Sequence, residues 1–133
     1  MAIPLFNALQ NIHAISAKLA ATNGALTITL FSISEDIPDM NLDNTRDAIG
    51  LQFASLVHNL TTIKTTDPIA KAYPDIHYNL KDLIARRNWL IREYETTAPT
   101  KWSEIADSVY NVIPTIKNGI IAALEAQGYP SGD

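Results

Sequence analysis

Apolar residues recur every three or four positions along most of the chain, and four stretches sustain the pattern long enough to predict helices. After Pro4, one face carries Phe6, Leu9, Ile12, Ile15, Ser16 and Leu19, and Asn23-Gly24 supplies a stop. A second stripe joins Ile49, Phe53, Leu56, Val57, Leu60 and Ile63, with Asp43 or Asn44 as its cap and Pro68 beyond its end. The third begins near Pro74, carries Ile76, Leu80, Leu83, Ile84 and Ile91, and ends at Thr96-Thr97-Ala98-Pro99, because a residue before proline avoids helical angles. It is the most polar of the four. The last, capped by Thr100 or Ser103, aligns Ile105, Val109, Val112, Ile113, Ile116, Ile120 and Leu124 and stops at Gly128 and Pro130. Pro114 lies inside it and predicts a kink.

One segment breaks this rhythm. Ala25-Leu-Thr-Ile-Thr-Leu-Phe-Ser-Ile alternates apolar and polar residues and is rich in β-branched side chains, as a strand would be, yet no second strand is in sight to pair with it. It reads as a packed loop or a short helix, leading into the acidic, proline-broken turn from Ser34 to Asp39. Each of the four stripes must be buried, and facing helices provide the burial. The predicted fold is therefore all-α, an up-and-down bundle of four to five helices.

Length and composition agree with one such unit. The 133 residues fit a single domain, and 47% apolar against 18% charged residues exclude a disordered tail. No apolar run approaches the roughly 18 residues of a membrane span. Without cysteine, neither disulfides nor thiolate metal sites nor a cysteine nucleophile are available. The first residues, Met1 to Phe6, lack the basic start of a signal peptide, and Asn7, Gln10, Asn11 and His13 interrupt any apolar run, so a cytoplasmic location is expected. The net charge of −4 is wrong for a protein that grips duplex nucleic acid by broad phosphate neutralisation. Any contact with nucleic acid must be local.

The usual catalytic signatures are missing: no phosphate-binding glycine loop, no His-Glu-x-x-His and no serine elbow occurs. His13, His58 and His77 fall on separate predicted elements without ligand spacing and read as surface or packing residues. Asp36, Asp39 and Asp43 only loosely resemble a calcium loop, which Pro38 and the missing central glycine oppose. The unusual stretch is Ala85-Arg-Arg-Asn-Trp-Leu-Ile-Arg-Glu-Tyr94, which gathers three arginines, an amide, two aromatics and an acid on the polar helix. On an ideal helix Arg87 and Tyr94 share a face within about 20°, and Asn88 and Arg92 share another within about 40°. Arginine forks match phosphate oxygens, tyrosine can stack on a base or accept a modifying group, and asparagine can orient a partner. The plain structural alternative is a solvated face of Arg-Glu pairs around a buried Trp89.

The run Tyr73-Pro-Asp-Ile76, followed by Asp82-Leu-Ile-Ala-Arg-Arg-Asn-Trp-Leu-Ile-Arg-Glu-Tyr94, resembles the HepT-like branch of the HEPN superfamily. That branch carries a proline-acid-isoleucine lead into Arg-Asn-x-Leu-x-His-x-Tyr. Asp47-Ala-Ile49 is similar to the family's second helix, and Ile113-Pro114 with Ile116-Lys117 to its last. The likeness covers about ninety residues, from Leu42 onward.

The resemblance implies a dimeric helical bundle that acts as a ribonuclease toxin, cleaves RNA without metal or cofactor, and has an MNT-type nucleotidyltransferase as antitoxin. Carried onto this sequence, Arg87 is the motif arginine, Asn88 its polar follower, Tyr94 the tyrosine that the antitoxin adenylylates, and Arg92 stands in the histidine's place. Arg86 would add positive charge for RNA. The substitution at 92 matters because an imidazole near pKa 6.5 exchanges protons at the ribose 2′-hydroxyl and the leaving oxygen, whereas a guanidinium above about 12 does neither. Losing such a shuttle costs about 10²–10⁴-fold. Arg92 thus marks either a degenerate member that binds without cutting or an inactivated form of an active toxin. With one motif per chain, a symmetric cleft requires two copies of the third helix. A reading from another class is a non-enzymatic helical adaptor that docks to a nucleotidyltransferase; a nucleotide-binding domain is a third, disfavoured by the missing phosphate loop.

Overall fold

The computed structural model describes residues 2–95 and 101–129, and the side chains of all of these but 91–95. Among them the chain is all-α, with no strand. Helix α1 (Ala2–Ala21) is followed by the short α2 (Ile28–Phe31), the long α3 (Met40–Thr61) and the one-turn α4 (Pro68–Ala72). A 3₁₀ turn (Pro74–His77) leads to α5 (Leu80–Glu95). Then α6 (Trp102–Asp107), a π turn (Ser108–Val112) and α7 (Ile113–Ala126) follow one another without a break. No helix among the described residues is long and apolar enough to cross a membrane.

Side-chain contacts give the directions. Asn11 on α1 donates to Gln52 on α3 at 3.0 Å and accepts from Asn59 at 2.7 Å, while the end of α1 at Lys18 and Ala21 faces the start of α3 at Asn44 and Thr45. These two helices are antiparallel. His77, just before α5, lies 3.1 Å from the Leu60 carbonyl at the end of α3 through Nε2, and Leu90 near the far end of α5 sits beside Gly50. Phe6 meets Tyr129 edge to face at 5.3 Å, closing α1 against the end of α7. The long helices alternate in direction, as in an up-and-down bundle.

The predicted stripes form the core. Leu9, Ile12 and Ile15 of α1, all six predicted positions from Ile49 to Ile63, and all seven from Ile105 to Leu124 are buried. Each full burial of such a side chain contributes about 1.5–3 kcal/mol. Ser16 is an exception: it is exposed, because the buried line of α1 runs through Leu5, Ala8, Leu9, Ile12 and Ile15. Gly119 permits a close approach between elements. A Cβ there would stand 2.9 Å from the backbone of Asp75 and Ile76, so α7 packs directly on the 3₁₀ turn.

Helix ends depart from expectation for local reasons. Helix α3 is capped by Asp39, whose carboxylate accepts from Leu42 N–H at 3.1 Å, and not by Asp43 or Asn44. Asp43 is already engaged by Ile37 N–H at 2.9 Å and by Arg46. The third long helix starts at Leu80, not near Pro74, because Tyr78 leaves helical angles after the 3₁₀ turn and Asn79 takes a left-handed backbone (φ +60°). Ser103 does not cap α6, which begins from Lys101 without a side-chain cap. Thr100, the stop at Thr96–Pro99 and Pro130 lie outside the described residues. Pro114 cannot donate to the Tyr110 carbonyl four residues back, and the π turn opens the hydrogen-bond ladder just before it.

The segment after Gly24 is a loop carrying the four-residue α2, capped by Thr27. Its Phe31 is buried edge-to-face against Trp102 at 5.7 Å and Tyr110 at 5.9 Å. The Tyr110 hydroxyl donates to the Leu26 carbonyl at 2.8 Å, and burial pushes its ionisation upward. Beneath the loop lies Arg46, with 1% of its surface exposed. Its guanidinium donates to the carbonyls of Phe31 (3.0 Å), Ile33 (2.8 Å) and Glu35 (2.9 Å), reaches Asp43 at 3.4 Å, and sits 4.4 Å over the Trp102 ring. A charge can be buried here because carbonyls and a carboxylate surround it.

Candidate functional site

Helix α5 carries the arginine-rich stretch, and its position follows from what precedes it. Asp67 and Pro68 start α4, the 3₁₀ turn seats the buried Ile76 under α7, and the left-handed Asn79 redirects the chain along α3. Among the described side chains of α5, Leu83 and Leu90 are buried, with Leu80 and Ile84 half-buried beside them. Leu90 lies by Trp102 over Gly50, where a Cβ would stand 3.3–3.4 Å from both. The surrounding helices are thus closely packed against the apolar side of α5.

The expected site residues occupy distinct environments on this helix. Arg86 has a side chain only 15% exposed; its Nη1 bonds Oδ2 of Asp107 at 3.0 Å and Oγ of Ser108 at 2.8 Å. Expected to face RNA, it is found tied across to the junction of α6 and the π turn. Arg87 follows the buried line, four residues after Leu83 and three before Leu90, and is half-buried. Its Nε is buried without a hydrogen-bond partner. Among the described residues no acid pairs with it. Asn88 is exposed on the next face. Arg92 and Tyr94 belong to the final turns of α5, and their side chains lie outside the described residues. The structure therefore brings Arg86, Arg87 and Asn88 around one section of α5, where, among the described residues, Arg86 is paired with an acid and Arg87 is not.

The aromatic expectation is corrected. Trp89 is half-buried rather than buried, with the Lys101 ammonium 4.1 Å from its ring, and the buried tryptophan is Trp102. Arg86 meets an acid on another helix, Asp107, while the side chains of Glu93 and Glu95, the glutamates of α5, lie outside the described residues.

Asp107 is the best-defined electrostatic feature near α5. Its Oδ1 accepts from Asn111 at 3.0 Å while Oδ2 takes Arg86, leaving its side chain 47% exposed. The Asn111 hydrogen bond first, and then Arg86, hold the carboxyl below its usual value against the opposing effect of desolvation. Among the described residues no group of three histidines or acids gathers in a way that could hold a metal. Asp39 and Asp43 cap and brace α3, and His77 meets the Leu60 carbonyl.

Sequence reasoning missed Asp107, Ser108 and Arg46. Arg46 did leave a signal, since it lies on the stripe that joins Leu42, Ile49 and Phe53, where a cation stands at a core position. The partners of Arg86 left none, being more than twenty residues away.

No protein-family model, curated protein or solved structure matches the chain.

Proposed function

We propose that the protein is an RNA-binding helical bundle of the HEPN kind, a ribonuclease toxin of a toxin-antitoxin pair whose turnover is curtailed because Arg92 replaces the proton-exchanging histidine. The observation that carries this reading is Arg87. A half-buried arginine that pairs with no acid among the described residues has the outer donors of its guanidinium to offer an anion. It occupies the position of the motif arginine, and the exposed Asn88 beside it can orient the same ligand.

A phosphodiester fits this chemistry. Its oxygens accept two parallel guanidinium hydrogen bonds, and developing charge during cleavage is stabilised by a fixed cation. Arg87 and Asn88 would bind and orient the phosphate. A histidine at position 92 would take the proton of the 2′-hydroxyl or deliver one to the leaving oxygen; Arg92 supplies charge alone. Two chains would each contribute α5 to the cleft, and an MNT-type nucleotidyltransferase would silence the toxin by transferring AMP from ATP to the Tyr94 hydroxyl, whose oxygen bonds the α-phosphorus as pyrophosphate leaves and the phenolic proton is released.

Arg92→His, expressed without a partner, is expected to arrest growth and degrade RNA, and the added change Arg87→Ala should abolish both effects. Unhindered growth with intact RNA in the Arg92→His strain would remove the ribonuclease reading and favour the helical adaptor.

A further inference from the structure

Helix α5 meets the core through one side of its surface. Leu83 and Leu90 are its buried residues up to position 90, and being seven apart they form one line within about 20° on an ideal helix. Half-buried Leu80 and Ile84 extend the apolar contact to one side of that line, about 60° and 100° round the axis, and leave the opposite side to polar contacts up to position 90. Arg86 is displaced about 60° around the axis from Leu83 and supplies a second line.

That second line is built, not incidental. Nη1 of Arg86 meets both Asp107 Oδ2 and Ser108 Oγ, Ser108 is completely buried, and the remaining Asp107 oxygen is taken by Asn111. The acceptors stand where α6 passes into the π turn. A π turn inserts a residue into the helical ladder, which changes the register between the side chains before and after it. Asp107 and Ser108 can therefore meet α5 while Val109, Val112 and Ile113 remain in the core.

We infer that Arg86 and Asp107 are positioning residues: their bracket with Ser108 sets the rotation of α5, and with it the direction in which the adjacent Arg87 presents its guanidinium to a phosphate. This rests on the reading of Arg87 as the phosphate ligand. Arg86 itself is already neutralised by Asp107, so it does not serve as a second phosphate contact.

The two roles for Arg86 predict opposite signs for one substitution. If Arg86 touched RNA, Asp107→Asn would free its guanidinium and remove a repelling charge, and binding would tighten. If Arg86 positions α5, the same change loosens the helix and binding weakens. The test uses the full chain with a labelled single-stranded RNA at constant salt, in parent, Arg86→Gln, Asp107→Asn and the double variant, with hydrogen exchange followed along α5. Each single variant is expected to raise Kd about tenfold, as small misplacements of a ligand-holding group do. The double variant should be no worse than either, because both remove one bracket, and exchange should rise in α5 in all three. Tighter binding by Asp107→Asn, or unchanged exchange in α5, overturns the inference. Faster exchange in a chain whose parent binds no RNA supports the bracket and refutes the phosphate role of Arg87.

Discussion

Replacing Arg46 with methionine would keep most of the side-chain volume and remove every donor that holds the segment after α2. Three carbonyls, those of Phe31, Ile33 and Glu35, lose a charged partner at 2.8–3.0 Å, and Asp43 loses its neighbour at 3.4 Å. Hydrogen bonds to a charged group contribute about 1.5–3 kcal/mol each, but the three do not add. The bonds at Ile33 and Glu35 are partly exposed, so water can replace the guanidinium there, whereas the Phe31 bond is buried. Methionine also avoids the desolvation cost of the cation, which offsets part of the loss. The expected net destabilisation is about 3–5 kcal/mol, the range for removing one partner of a buried charged network, or roughly 10–20 °C in Tm for a domain of this size. Urea and thermal unfolding followed by circular dichroism measure it. Exchange of the amides from Ser32 to Ile37 should quicken more than that of α1. Arg46→Lys should fall between the two, since one ammonium cannot span carbonyls served by both arms of the fork. A methionine variant within about 1 kcal/mol of the parent, less than one charged hydrogen bond, would refute the view that Arg46 fastens this loop.

Gly119→Ala should destabilise by about 1–3 kcal/mol through overpacking, because its Cβ would stand 2.9 Å from the backbone of Asp75 and Ile76; an unchanged urea midpoint would contradict that contact. Tyr110→Phe should cost about 1 kcal/mol by deleting the bond to Leu26, read in the same unfolding assay. Asp107 has a folded pKa below its unfolded one, so its contribution is present above the ordinary carboxylate pKa of 3.8 and is lost as pH falls through the lower folded value. The contribution is small at this exposed site. Asp107→Asn should therefore flatten the parent's stability profile below about pH 4; identical profiles would exclude the pairing.

The apolar stripes were legible because helical periodicity is local: Ile49 to Ile63 and Ile105 to Leu124 announce their buried faces within a few turns of chain. Helix ends were harder to read, since several polar residues near α3 could cap it. Asp43 has the right chemistry and position, yet is taken by Ile37 and Arg46, and the cap falls to Asp39. The same competition divides the arginines of α5. Arg86 and Arg87 are equivalent as letters, and what separates them is that one faces Asp107 and Ser108 while the other follows the line of Leu83 and Leu90.

Sequence by itself determined the class of fold, the location of the core-forming faces and the stretch where arginines cluster. These depend on side-chain type and spacing within one helix. Tertiary structure decided that Arg46 is an internal fastener, that the segment after Gly24 becomes a loop with a short helix pinned by Phe31, and that Arg86 is committed to Asp107. Each of these depends on groups far apart in the chain, where the energy of burying or pairing a charge is set by which helices come to lie side by side.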